Sequence, residues 1–380
     1  MRFSDHLGED VGSLVVSFLV ERRRVSRSFD FGFRDGFDKI VCFGETMAGI
    51  GSVSKAWRRL TKAVLMRDDR MYLVASGMCD AAECLSAFPQ ARSLRIGAGI
   101  GGAWNVPARG KARAGDIAAV LASRAVERLD LCSADMRSCS RLGNMAGLRA
   151  LRLRCPQLRD LDLRPLAKLV SLDTLDLSRM AQLLDLRTLS ALTGLQDLNL
   201  GSKDAEDLGG LSTLVRLRRL CSISCPGFHD LGPLSTLVAL KQLMLSDCGQ
   251  LRDLRPLSAL VGLRLLDLSG CSELSNIQPL STVVGLQVLS LLWCSEVTDV
   301  TPLSSLLALQ DLDLGCMEWL TDVRPLSTLV GLQELNLIGC KRVTNVQALS
   351  ALVALHSLDR CFCDELSDCP FVCPSRTGRR

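Results

Sequence analysis

The chain has 380 residues, too many for one ordinary hydrophobic core, so its length indicates two domains or one extended array. Hydrophobic residues make up 48% and charged residues 23%, a balance that excludes a disordered chain. The formal net charge of +4 gives no reason to expect a nucleic-acid partner, and no window approaches the roughly 18 apolar residues of a membrane-spanning helix.

The amino-terminal residues differ from a secretion signal. Acidic residues precede a ten-residue apolar run from Val11 to Val20, whereas a signal peptide has a basic start and a longer apolar stretch. We therefore expect the protein in the cytoplasm or the nucleus, with no membrane partner. In either compartment its 17 cysteines are expected to be reduced thiols rather than a disulfide framework.

Two amphipathic blocks predict a small helical region over residues 1–70. The blocks read LGEDVGSLVVSFL from Leu7 and VSKAWRRL from Val53, with apolar residues at helical spacing. They resemble the F-box, the helical module that docks a substrate receptor onto the Skp adaptor of a cullin ubiquitin ligase. Gly8 stands where the F-box usually has proline. The resemblance implies an adaptor-binding role for Leu7, Val11, Leu14, Phe18, Leu19, Val53, Trp57 and Leu60.

The spacing of the two blocks departs from the F-box pattern. Thirty-three residues separate Leu19 from Val53, more than an F-box normally has, which predicts an inserted loop near residues 27–51. The alternative is a generic helical cap over the first coil of the array that follows, since a repeat array needs a polar cap.

The sequence pattern of residues 71–124 predicts degenerate coils of the repeat, interrupted by a glycine-rich loop. Met71–Leu73 and Leu94–Ile96 lie 23 residues apart, and Gly97–Gly102 then carries the G-x-G-x-x-G spacing. A dinucleotide site needs a helix that starts at this motif within a βαβ unit, but Ala103–Pro107 follows instead. We therefore predict a loop and no nucleotide cofactor.

Residues 125–369 repeat with a period of 23. Gly262–Val284 reads GLRLLDLSGCSELSNIQPLSTVV and Gly331–Val353 reads GLQELNLIGCKRVTNVQALSALV. The L-x-x-L-x-L part predicts a half-buried strand, and Pro279 suits the start of a short helical turn. Because 23 residues cannot hold a strand and a long helix, the sequence predicts an α/β solenoid, a horseshoe with a concave parallel sheet and convex 3₁₀ or very short helical turns.

This pattern resembles leucine-rich repeats of the type that has cysteine after the strand, and its proline turn resembles internalin and phosphatase-regulator solenoids. The departures are Ser222 at a strand leucine position, Met317 at a cysteine position and Arg360 in the last coil, where the array is expected to end. Residues 370–380 form a basic tail. The family resemblance implies protein binding rather than catalysis.

The cysteines admit two interpretations. Most of them recur once per coil, which favours buried packing over metal or redox chemistry. Cys361, Cys363, Cys369 and Cys373 could together supply zinc ligands, but they lack paired C-x₂-C spacing, so we predict no metal. Three scattered histidines have no partner at catalytic spacing, so we predict no enzyme activity.

The outward residues of the strands are the candidate contact surface for a protein partner. They grade from mixed or basic to acidic along the array, which favours a segment with a basic stretch. With the F-box resemblance, this predicts the substrate-recognition subunit of a Skp-cullin-F-box ligase; the alternative is a stand-alone regulatory scaffold. The candidate contact residues are Arg152, Arg154, Asp176, Asp197, Asn199, Asp267, Asp311, Asp313, Glu334 and Asn336.

Overall fold

The computed structural model describes ten ranges of the chain, which form two compact units, Met1–Asp176 and Leu177–Arg380. The described ranges are 40–42, 72–75, 92–97, 126–132, 142–154, 164–178, 186–200, 208–222, 228–344 and 346–361. The F-box-like residues and the basic tail lie outside them.

The first unit contains short parallel strands, each paired with the next along the chain. They are β1 (Ile40–Cys42), β2 (Tyr72–Ala75), β3 (Ser93–Gly97), β4 (Arg128–Cys132), β5 (Ala150–Arg154) and β6 (Thr174–Leu177), whose last residue belongs to the second unit. Two 3₁₀ turns follow β4 and β5: Leu142–Asn144 and Arg164–Lys168.

Two details of this unit differ from the sequence prediction. Residues 27–51 are predicted as an inserted loop, yet Ile40–Cys42 forms a strand, consistent with its β-branched residues. The 23-residue offset aligns Met71 with Leu94, whereas the observed register places Leu73 beside Leu94. The two registers differ by two residues, which leaves the alternation of faces unchanged, and the observed one aligns Leu73 with Leu94 and Leu129 in one row of leucines.

The second unit repeats one strand and one 3₁₀ turn per coil. Its strands are β7 (Asp197–Leu200), β8 (Arg219–Ser222), β9 (Gln242–Met244), β10 (Leu265–Asp267), β11 (Val288–Ser290), β12 (Asp311–Asp313), β13 (Glu334–Asn336) and β14 (Ser357–Asp359). Its 3₁₀ turns are Leu186–Ala191, Gly209–Leu211, Gly232–Thr236, Arg255–Ala259, Gln278–Thr282, Thr301–Ser305, Arg324–Thr328 and Gln347–Ala351. This alternation confirms the predicted parallel sheet with 3₁₀ turns.

Local chemistry explains why each turn forms at that place. Pro279 is the second residue of its 3₁₀ turn, where its missing N–H would have no intrahelical acceptor. The side chain of Asn276 accepts a hydrogen bond from the N–H of Gln278 at 2.9 Å, which satisfies one free donor of the turn. The next coil does the same with Asp299 and Thr301 at 2.8 Å.

The cysteine ladder packs inside the coils, as the repetition predicts. Cys271, Cys294 and Cys340 are fully buried, and their Sγ atoms donate to the carbonyls of Leu245, Leu268 and Leu314 at 3.3, 3.1 and 3.1 Å. Each acceptor belongs to the preceding coil, so the thiols join neighbouring coils. Buried Met317 takes the same position in its coil, while Cys225 and Cys363 lie outside the described residues.

Burial also makes these thiols unreactive, which gives a first prediction. Desolvation raises the pKa of Cys271 and of Cys294 to about 12 from 9.0, so ionisation alone slows their reaction at pH 8 roughly a thousandfold. In native protein, a thiol reagent followed by peptide mass spectrometry should modify exposed Cys361 and leave Cys294 untouched. Modification of Cys294 at the rate of Cys361 without unfolding would contradict the packing.

Candidate protein-binding face

Each strand from β7 to β13 holds a buried leucine between two outward side chains, and half-buried Leu358 continues the pattern in β14. This creates two rows on the strand face. The first row precedes the leucine: Asp197, Arg219, Gln242, Leu265, Val288, Asp311, Glu334 and Ser357. The second row follows it: Asn199, Cys221, Met244, Asp267, Ser290, Asp313, Asn336 and Asp359. Neighbours in a row are about 4.8 Å apart, so their side chains interact.

The carboxyl-terminal end of this face is an acidic cluster formed by Asp311, Asp313 and Glu334. Asp311 and Glu334 are register partners on β12 and β13, and Asp311 is half-buried. Burial, then repulsion by Glu334 and Asp313, raises the pKa of the Asp311 carboxyl above its ordinary value. Within the described ranges no lysine or arginine forms an ion pair with these three carboxylates. The cluster therefore carries uncompensated negative charge.

Hydrogen bonds fix the side chains around the acidic cluster. Asp313 accepts from the N–H of Gly315 and from Asn336 Nδ2, both at 2.9 Å. Asn336 in turn accepts from the N–H of Ile338 at 2.9 Å. These bonds hold Asp313 and Asn336 in place, whereas Asp311 and Glu334 keep their acceptor oxygens free for a partner.

The middle of the strand face is less polar. Leu265 is buried, Val288 and Met244 are half-buried, and all three lie on strands between β8, which carries Arg219, and β12, which carries Asp311. Asp267 sits beside them and accepts hydrogen bonds from Ser246 and Ser269. An apolar centre with a charged end is typical of protein-binding surfaces.

Three of the predicted contact residues nearer the amino terminus, Arg152, Asp176 and Asp197, form ion pairs within the protein, whereas the buried Oδ1 atom of Asn199 accepts no hydrogen bond from the described residues. In the first unit, Arg152 Nε donates to Asp176 Oδ2 at 2.7 Å, and both side chains are buried, so neither presents an exposed charge. Arg154 on the same strand is half-buried. In the second unit, Arg219 donates to both carboxylate oxygens of Asp197 at 2.6 and 2.8 Å.

Two tryptophans that the sequence argument overlooks are exposed beside the strands. Trp293 follows β11 and has a φ of 63°, a left-handed conformation rare for a bulky residue, and 60% of it is exposed. Residues at this position in other coils are Asp247, Gly270, Cys316 and Gly339. Trp319 lies 3.9 Å from the Arg342 guanidinium, measured to the ring centroid. The sequence does contain a signal for Trp293: a large aromatic residue stands at a position where the other coils have aspartate, glycine or cysteine.

The remaining predicted sites fall outside what the structure describes. This applies to the F-box-like residues Leu7, Val11, Leu14, Phe18, Leu19, Val53, Trp57 and Leu60, and to Cys363, Cys369 and Cys373. Among the described residues, no three His, Cys, Asp or Glu side chains come together as a metal site. No helix in those ranges is long and apolar enough to cross a membrane.

Comparison with known proteins gives the fold. No family model and no curated protein matches the sequence. An internalin (inlF) from Listeria monocytogenes matches with a TM-score of 0.58 and 18% identity, over 88% of this chain and 99% of that chain. The functional domain of InlJ from the same species, which includes a cysteine ladder, matches with a TM-score of 0.51 and 20% identity, over 68% of this chain and 52% of that chain. With its parallel strands, 3₁₀ turns and layered leucines, this chain is a leucine-rich-repeat solenoid.

Proposed function

We propose that this protein is a non-catalytic binding protein that holds a basic segment of another protein on the strand face of the second unit. The observation that carries the proposal is the acidic cluster of Asp311, Asp313 and Glu334, which has no basic partner among the described residues. Burial, and then repulsion by Glu334 and Asp313, raises the pKa of Asp311, and a lysine or arginine from a partner relieves the repulsion.

Neighbouring features extend this surface. The apolar centre around Val288 offers contacts for aliphatic side chains, whose burial favours association. Trp293, three residues beyond β11, presents an exposed ring that stacks favourably on a cationic side chain. The favoured partner segment is therefore extended, with basic residues next to aliphatic ones.

The binding test uses a labelled peptide in which arginine, lysine and leucine alternate. The double variant Asp311→Asn with Glu334→Gln should bind it about tenfold more weakly, because two uncompensated carboxylates are lost. Glu296→Gln is the matched control, since Glu296 is exposed and lies between strands. The affinity should rise with pH through the titration of Asp311, because its carboxylate form binds the cation. Equal affinity of the double variant and the wild type would contradict this site.

We further propose that the protein is the substrate-recognition subunit of a Skp-cullin-F-box ubiquitin ligase and acts in the cytoplasm or nucleus. The support is the pair of F-box-like blocks ahead of the repeats. The full chain should co-purify with a Skp-type adaptor, and Leu14→Ala with Trp57→Ala should abolish this, while the double variant of the acidic cluster should not. If the wild type retains no adaptor, the favoured alternative is a stand-alone regulatory scaffold.

A further inference from the structure

A row of exposed aliphatic side chains runs along the second unit, away from the strands. We call it the valine ridge: Val238, Val261, Val284, Leu307, Val330 and Val353. Each of them is more than half exposed, and Leu307 is 63% exposed. Single exposed apolar residues are ordinary, but one in the same place on six successive coils forms a continuous apolar strip. Val215 holds the same place in the coil before them and is 52% exposed, but the exposed Arg216 follows it and bounds the strip there.

The end of each 3₁₀ turn points these side chains outward. In the coil of Leu307, the preceding residue Leu306 has φ −85° and ψ 59°, close to an inverse γ-turn, and is itself buried. The N–H of Leu307 donates to Ser305 O at 3.0 Å and closes the turn. The same bond recurs at Val238, Val330 and Val353. The backbone at these four residues is therefore fixed, which lowers the cost of ordering the ridge on binding.

Directly after the ridge lies a row of residues with little or no side chain: Ala239, Gly262, Gly285, Ala308, Gly331 and Ala354. Packing inside the coils does not require a glycine at every one of these positions. A Cβ on Gly331 would come no closer than 3.6 Å to Leu307 O, and its φ lies outside the left-handed region. The ridge thus stands beside a shallow groove of nearly matching length, which the flexible side chain of Lys241 crosses at Gly262, where its Nζ donates to Gly262 O at 3.2 Å.

The spacing and charge of the strip favour a second copy of this chain as its occupant. Coils recur every 4.8 Å or so, whereas the turns of an α-helix recur every 5.4 Å or so, and over the length of the ridge the mismatch reaches about 3 Å. An identical strip has no mismatch. Two residues beyond the groove, the flanking side chains are Lys241, Arg264, Gln287, Gln310, Gln333 and His356.

These flanking residues select the relative direction of two copies. In a parallel pair, Lys241 and Arg264 of one copy face the same cations of the other. In an antiparallel pair, Lys241 lies near His356 and Arg264 near Gln333, while Gln287 meets Gln310. Like charges are therefore kept apart only in the antiparallel arrangement.

We propose that the valine ridge is the contact surface of a weak, two-fold symmetric dimer in which two copies of this chain pack antiparallel. The symmetry axis passes between Val284 and Leu307, and the ridge of each copy fits the groove of the other. A strip about 24 Å long and 15 Å wide buries roughly 700 Å² in total, below the usual range of stable complexes. The expected dissociation constant is therefore on the order of 100 μM.

Sedimentation velocity on the full chain from about 5 to 500 μM tests the dimer. The mean mass of the wild type should rise towards twice the monomer, and Leu307→Lys should weaken dimerisation at least roughly tenfold. Thr298→Lys, at an exposed position of the same coil outside the ridge, adds the same charge and should not. Circular dichroism must show that the variants keep the wild-type fold.

A mixing experiment tests the antiparallel geometry itself. Val284→Glu and Leu307→Lys should each dimerise poorly alone, because each places a charge against an aliphatic residue of the other copy. Mixed together, they should associate, because the new carboxylate and the new amine face each other across the axis. A wild type that stays monomeric at the highest concentration, a dimer that Leu307→Lys does not weaken, or a mixture that stays monomeric would overturn the proposal.

Discussion

Replacing Arg152 by alanine is expected to lower the free energy of unfolding by about 3–5 kcal/mol. Arg152 Nε donates to Asp176 Oδ2 at 2.7 Å, and only 2% and 4% of the two side chains are exposed. Without the guanidinium, the buried Asp176 carboxylate loses the charge that Arg152 places 2.7 Å away and must either stay desolvated or take up a proton. Urea denaturation followed by circular dichroism measures the loss.

Two other ion pairs between neighbouring coils serve as matched controls. In the Arg219–Asp197 pair, 29% and 15% of the side chains are exposed, so Arg219→Ala should cost less, about 1.5–3 kcal/mol. In the Arg252–Glu273 pair, 75% and 43% are exposed, so Arg252→Ala should cost under about 1 kcal/mol. If the three alanine variants lost equal free energies of unfolding, burial of the ion pair would not determine how much it stabilises the fold.

A double substitution distinguishes the loss of the Arg152–Asp176 attraction from the cost of a buried carboxylate that has lost its Arg152 partner. Arg152→Leu with Asp176→Leu removes both charges and leaves apolar groups in a buried place, so it should cost less than Arg152→Ala alone. If the double variant were the less stable of the two, the attraction within the ion pair would itself stabilise the fold. The cost of burying the Asp176 carboxylate without Arg152 would then not explain the loss.

The repeating part of the fold could be predicted from sequence because one short pattern specifies both local structure and long-range contacts. Leu312 alternates with Asp311 and Asp313 and forms a strand, while Pro279 is the second residue of a 3₁₀ turn. Since every coil packs on the next, the position of Cys271 in its coil also fixes its neighbours in the stack. Period and residue type therefore sufficed for the strands, the turns and the thiol ladder.

The candidate site was less predictable because it depends on which side chains pair across coils. Alternation places Arg152 and Asp311 alike on the strand face, yet the first is buried against Asp176 and the second is left with acidic neighbours. Trp293 likewise occupies a left-handed position that the repeat fills elsewhere with residues such as Gly270, so its exposure follows from backbone geometry rather than from pattern. The adaptor-binding prediction for Leu14 and Trp57 stays a prediction.

Gly210→Ala is expected to be the other strongly destabilising substitution, with a loss of about 3 kcal/mol. Its coil, from Gly194 to Val215, has 22 residues instead of 23, and its 3₁₀ turn, Gly209–Leu211, is correspondingly short. A Cβ on Gly210 would overlap the backbone of Leu186 and Arg187 in the preceding turn. Backbone atoms cannot move aside as a flexible side chain can, so the two turns must separate and expose the leucines between them.

Gly331→Ala provides the comparison for Gly210→Ala, because the nearest atom to its new Cβ, Leu307 O, is 3.6 Å away. Its free energy of unfolding in urea should stay within about 0.5 kcal/mol of the wild type. Both changes add one methyl group to a glycine of the same unit, so they differ in available space and not in chemistry. Equal stability of the two variants would mean that the short coil has room to relax; a loss confined to Gly210→Ala would show that close contact between neighbouring turns fixes the length of a coil.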